Sequence, residues 1–202
     1  MVIFCSLGFH CQCSQILKRN NLKKKSYPFD WIFCNIFIVT DCINDDFKKL
    51  LDKSYYINYS NKTINDDCCG HSYYKKNLFP HRNMRSLNNY DYLVRCVNRF
   101  QDLYKNKEKK VFLITVINSV LFSNVYNNLK NLNDILKNKK MSNFLLVCFI
   151  FLYNEKKNDH YIEINDNIHI IYINCTSKTD GLKFEKESDN IYVDNIIKNN
   201  YL

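Results

Sequence analysis

At 202 residues, 46% of them hydrophobic and 15% aromatic, the chain has the size and composition of one folded domain with a sizeable core, which excludes an intrinsically disordered protein. The formal net charge of +9 arises from lysine runs such as Lys23-Lys24-Lys25 and Lys137-Asn138-Lys139-Lys140, scattered at turns and helix ends. A nucleic-acid surface would instead set Arg and aromatics along one face, so specific nucleic-acid binding is not expected.

The 30 Asn, the absence of Ala and the scarcity of Gly (3) and Pro (2) match the codon usage of an AT-rich genome, so the Asn tracts carry no separate meaning. Of the 10 Cys, several lie inside apolar runs, Ile3-Phe4-Cys5 and Leu146-Val147-Cys148-Phe149, where Cys behaves as a small hydrophobe. The apolar start, Met1 to Phe4, is too short for a signal peptide, and the longest apolar run, Phe144 to Tyr153, is about half of a bilayer span. The expectation is a soluble protein of a reducing, cytoplasmic compartment, with thiols and no membrane association. No cofactor is implied, and the oligomeric state is open.

In chain order, Val2 to Cys5 reads as a buried strand, Ser6-Leu7-Gly8 as the turn leaving it, and Cys11 to Asn20 as a helix ending in Lys18 and Arg19, which suit the helix dipole. Pro28 forces Tyr27 into an extended conformation, so Phe29, Asp30 and Trp31 form a corner. Ile32 to Asp52 reads as helical with a break near Thr40-Asp41. Residues 53–84 read as a long, irregular aromatic excursion with short strands. Helices are expected over Asn89–Asn106, Ser123–Asn138 and Ser188–Asn200, with strands over Lys110–Ile117, Phe144–Leu152 and Ile168–Ile173. Alternating strands and helices predict an α/β fold: a single layered domain, 1–202, whose mostly parallel or mixed central sheet is flanked by helices, more Rossmann-like than papain-like.

Cys11 opens a helix directly after a strand and turn, where backbone N–H groups and the helix dipole stabilise a thiolate or an oxyanion. It is the candidate nucleophile, with His81 as candidate base and Asp30 as candidate orienting acid. The alternatives are structural: Cys11 as packing, His81 as a loop residue, Asp30 as a helix cap, and Trp31 as a core anchor. Arg95 and Arg99 can bind an anion or pair with the Asp residues of 41–52, the second being favoured. His10, Cys11, Cys13, Cys68, Cys69 and His71 supply enough N and S atoms for zinc, but lack the usual C-x₂-C spacing. Phosphate-binding turns want several glycines, and only Gly8 is present.

Ser6-Leu7-Gly8-x-x-Cys11, Leu17-Lys18-Arg19 and Tyr27-Pro28-Phe29-Asp30-Trp31 together resemble the family described as putative papain-like cysteine peptidases, a domain of unknown function of bacteria and large DNA viruses. Phe79, His81, Arg95 and Arg99-Phe100 before the Val111–Ile114 strand fit the same pattern; Cys96 stands where the family has a further arginine. The resemblance implies a cysteine-dependent hydrolase of an unknown peptide or acyl substrate, with Cys11 as nucleophile, His81 as base and Asp30 as third member, in host cytoplasm for a viral source. The contrasting reading is a non-catalytic α/β domain that binds a ligand or protein, its motif residues being structural.

Overall fold

Long apolar runs with a period of two build the centre of the protein. The computed structural model describes residues 2–59, 67–117, 124–154 and 156–202. In chain order the elements are β1 (Val2–Ser6), α1 (Cys11–Arg19), α2 (Ile36–Asn44), α3 (Lys48–Leu51), β2 (Tyr56–Ile57), β3 (Cys69–His71), β4 (Lys75–Phe79) and α4 (Leu87–Asp102). They continue with β5 (Lys109–Ile117), α5 (Val125–Asn138), β6 (Phe144–Tyr153), β7 (Asp159–Asn165), β8 (Ile168–Cys175) and α6 (Glu187–Tyr201).

Five strands form one sheet in the order β1-β5-β6-β8-β7. The first four are parallel, and β7 closes one edge antiparallel to β8. Cys5, Phe112, Leu146 and Ile168 are register partners across the parallel strands and lie in one core cluster, together with Ile38, Leu50, Phe100 and Leu129 of α2–α5. The adjacent positions Val111, Leu113, Val147 and Ile171 face the other way, onto Ile16 of α1 and Val193 of α6. Both faces are therefore covered, as near-continuous apolar strands require. Each such buried side chain contributes about 1.5–3 kcal/mol.

The aromatic excursion folds into a second, three-stranded antiparallel sheet, β2-β3-β4. Tyr56 sets its ring edge-on to Phe79 and donates its hydroxyl to the Leu50 carbonyl (2.7 Å), anchoring this sheet to α3. Part of the excursion, 60–66, lies outside the described residues, as does Ser123, the expected start of α5.

Three sequence expectations are corrected. The break after α2 falls at residues 45–47, where Asp46 and Phe47 take positive φ, and not at Thr40, whose hydroxyl bonds back to the Ile36 carbonyl (2.6 Å) inside the helix. Strand β7 was not expected: it is a polar edge strand with Tyr161 and Ile164 exposed, so it carries no buried-strand pattern. Arg99 does not pair with the Asp residues of 41–52. It donates to the Ser26 carbonyl (2.6 Å), while Lys49 pairs with Asp41 and Lys139 with Asp46.

The corner after α1 is tied down by a buried carboxylate. Asp30 accepts hydrogen bonds from Ser14 Oγ of α1 (2.6 Å) and from the Tyr27 N–H (2.8 Å), and it ion-pairs with Lys23. Phe29 packs in an aromatic cluster with Phe47 and Phe100. Phe33 N–H donates to the Leu78 carbonyl (2.9 Å), which brings β4 beside the corner.

Asp30→Asn leaves the Lys23 ammonium in a largely buried position without its counter-charge, and should cost about 3–5 kcal/mol in denaturant unfolding; adding Lys23→Met should recover much of that loss. The cysteines give a second outcome. Burial lifts Cys13 and Cys34 from an ordinary thiol value of 9.0 to about 12. Their folded values exceed their unfolded ones, so the associated stability is complete below pH 9 and declines as pH rises toward 12. Melting temperature should therefore fall progressively from about pH 9 upward; an unchanged melting temperature at pH 10.5 would contradict the burial of these thiols.

Candidate active site

The end of β1 sets the position of Cys11. The Leu7 N–H donates to Leu113 of the neighbouring strand (2.8 Å), and Gly8 then turns the chain with φ of 80°, its N–H held by Ser6 Oγ (3.2 Å). A side chain at Gly8 would run into Cys34 Sγ, so the tight turn requires glycine for both space and φ. Helix α1 begins at once, with His10 in the N-cap position and Cys11 as its first residue.

Cys11 Sγ lies 3.2 Å from His81 Nε2. The two residues come from opposite ends of the corner-to-β4 contact: His81 sits in the turn after β4, beyond Pro80, and is exposed, whereas Cys11 is only 5% exposed. Burial pushes the Cys11 thiol up to about 11, against the opposing pull of its own N–H. The resting form at neutral pH is therefore the thiol. Nδ1 of His81 has no hydrogen-bond partner among the described residues.

Both side chains open into a cleft of about 520 Å³, within the range of small-ligand sites. Trp31 and Phe33 of the corner form one wall. Trp31, for which a core anchor was the structural alternative, is half-buried with φ of 62° and borders this cleft. Arg82 also borders the cleft, but its guanidinium stacks 4.1 Å over the Tyr92 ring and donates to Asn89 (3.3 Å). Asp180, Gly181 and Leu182, from the loop between β8 and α6, form the opposite wall. That loop is fixed to α1 because Gln12 N–H donates to the Gly181 carbonyl (2.8 Å) and Thr179 Oγ1 donates to Gln12 Oε1 (3.0 Å). Asp180 turns its carboxylate onto the N–H groups of Lys183 (2.9 Å) and Leu182 (2.7 Å), which hold its pKa below the ordinary carboxylate value.

Of the three residues singled out from sequence, the structure brings Cys11 and His81 together. Asp30 lies close behind α1, with its carboxylate committed to Ser14, Lys23 and the Tyr27 N–H; a contact with His81 is not among its bonds. The zinc candidates are dispersed. Cys13 donates to the Leu113 carbonyl (2.9 Å), Cys69 Sγ accepts the Met84 N–H (3.2 Å), and the His71 ring meets the Lys49 carbonyl (3.0 Å). Among the described residues no three His, Cys, Asp or Glu side chains converge as metal ligands. Sequence reasoning missed the 180–182 wall, whose one signal was the Asp-Gly turn after a parallel strand, where α/β sheets place their ligands.

Among the described residues no helix is long and apolar enough to cross a membrane, and no disulfide links the ten cysteines. Neither the curated proteins nor the solved structures gave a match. A family model described as putative papain-like cysteine peptidase matches residues 2–157, from β1 through β6, and takes in Cys11, Asp30 and His81. The chain belongs to that family.

Proposed function

We propose that the protein is a cysteine-dependent hydrolase of acyl bonds, with a peptide or related amide as substrate class. The observation that carries this reading is the 3.2 Å approach of His81 Nε2 to Cys11 Sγ in a cleft large enough for a small ligand or a few residues of a peptide. Family membership supports it.

With the thiol protonated at rest, the imidazole acts as general base during attack rather than as half of a preformed ion pair. His81 Nε2 takes the thiol proton as sulfur bonds to the carbonyl carbon, and the carbonyl π electrons move onto oxygen. When the tetrahedral adduct collapses, the C–N bond breaks and the leaving nitrogen takes the proton from the imidazolium. Water then attacks the thioester with His81 accepting its proton, and that proton returns to sulfur as the acid departs. Asp30 serves as the third member by positioning: through Ser14 it fixes the face of α1 that carries Cys11, three residues earlier.

The non-catalytic reading draws on the raised thiol pKa and on the absence of a carboxylate bond to His81 among the described residues. Alkylation separates the two. With iodoacetamide, Cys11 should be modified ahead of Cys68, the half-exposed thiol of the chain. His81→Ala should slow that modification by about 10²-fold or more at neutral pH. A Cys11 rate indifferent to His81→Ala, measured by mass spectrometry of the labelled peptides, would establish the non-catalytic reading instead.

A further inference from the structure

We propose that the His10 imidazole N–H and the Cys11 backbone N–H together receive the oxyanion that forms when Cys11 attacks a carbonyl; this assignment rests on the cysteine-hydrolase reading. Helix N-caps usually carry Ser, Thr, Asp or Asn, whose oxygen bonds a free helix N–H. His10 occupies that position without making any side-chain cap bond. Its ring instead lines the same cleft as Cys11 and His81, held between Phe9 (5.3 Å) and Phe33 (5.5 Å).

Gly181 makes room for the ring: a Cβ there would stand 3.3 Å from His10 Nδ1. Neither ring nitrogen has a hydrogen-bond partner among the described residues, so the ring N–H is free to donate to a ligand in the cleft. Burial, aided by the Lys75 charge, holds the imidazole pKa down, so the ring is neutral at neutral pH. A neutral imidazole keeps one N–H donor in either tautomer.

His81, not His10, meets the Cys11 sulfur, so the base position is filled. What the attack step lacks is a second donor for the developing charge. As sulfur bonds to carbon and the π pair moves onto oxygen, the His10 N–H and Cys11 N–H donate to that oxygen. No proton leaves His10, and the donors relax when the carbonyl re-forms.

Two reagents isolate this role. Acylation by p-nitrophenyl acetate passes through an oxyanion, whereas alkylation by iodoacetamide does not. His10→Phe keeps a ring between Phe9 and Phe33 but removes the donor. It should lower acylation of Cys11 by about 10²–10³-fold and leave alkylation within about twofold. His10→Asn, which restores an N–H, should recover part of the acylation rate, and thermal melts identify a variant that has lost its fold. Equal losses in both reactions, or no loss in acylation, would overturn the assignment. Wild-type protein alkylated in a His81-dependent manner yet never acylated would overturn it too, while leaving the general base in place. Alkylation indifferent to His81 would remove the parent reading instead.

Discussion

A carboxylate removed from water must be surrounded by donors, and Asp30 collects its three from three different segments. Ser14 comes from α1, Lys23 from the basic loop after it, and the Tyr27 N–H from the corner itself. One anion thereby fixes the rotation of α1 against the corner, and Cys11, three residues before Ser14, is carried on the same side of the helix. The corner then continues to Phe33, whose N–H reaches Leu78 of β4, and β4 delivers His81 two residues past its end. The 3.2 Å thiol–imidazole contact closes a circuit that begins at that carboxylate. A loss at Asp30 would thus be felt first as instability and then as misplacement of two side chains that it does not touch.

The opposite wall of the cleft is built on the same principle. Asp189 is fully buried and accepts the N–H of Ser177 (2.8 Å) and of Thr176 (3.2 Å) together with both hydroxyls. This pins the start of the loop that presents Asp180, Gly181 and Leu182. The Gln12 N–H then pins the tip of that loop to the first turn of α1. Two buried carboxylates, Asp30 behind the corner and Asp189 behind the 180–182 loop, therefore hold segments that line the cleft. The sheet supplies the common reference: Cys11 follows the C-terminal end of β1, and the loop follows the C-terminal end of the parallel strand β8. Loops at that end of a parallel sheet are the usual place for a ligand.

The local order of strand, turn, helix and corner was legible because each carries its own signal: apolar run, glycine, basic last turn, proline. The layered α/β class followed from the apolar strands β5, β6 and β8, which read as buried on both faces. Short strands in the excursion were expected, but their bounds and their pairing into a second sheet were not legible, since strands of two to five residues show no usable period. Edge strand β7 was hidden for the opposite reason: its polar alternation with exposed Tyr161 and Ile164 resembles a loop. At the site, Cys11 and His81 could be named as candidates, but their meeting depends on the Phe33–Leu78 hydrogen bond, a tertiary fact without sequence pattern. Asp30 was singled out as the orienting acid for His81, while its partners are Ser14 and Lys23, which nothing in the spacing distinguished.

Ten cysteines in one chain raise the question of what distinguishes one of them chemically. Burial does not, because it raises Cys13 and Cys34 as it raises Cys11. A buried thiol normally disposes of its proton on a carbonyl, and Cys5, Cys13 and Cys34 do so on Ser6, Leu113 and Leu7. A carbonyl accepts the hydrogen bond but cannot take the proton, so such contacts hold the thiol in its unreactive form. Cys11 faces an imidazole, which can take it. The low-dielectric surroundings that disfavour a free thiolate also strengthen any donor aimed at charge developing on a bound substrate. On the hydrolase reading, burial at Cys11 therefore shifts the demand from a preformed thiolate to the donors around the substrate oxygen, and the chemistry depends on those donors as much as on the thiol–imidazole pair.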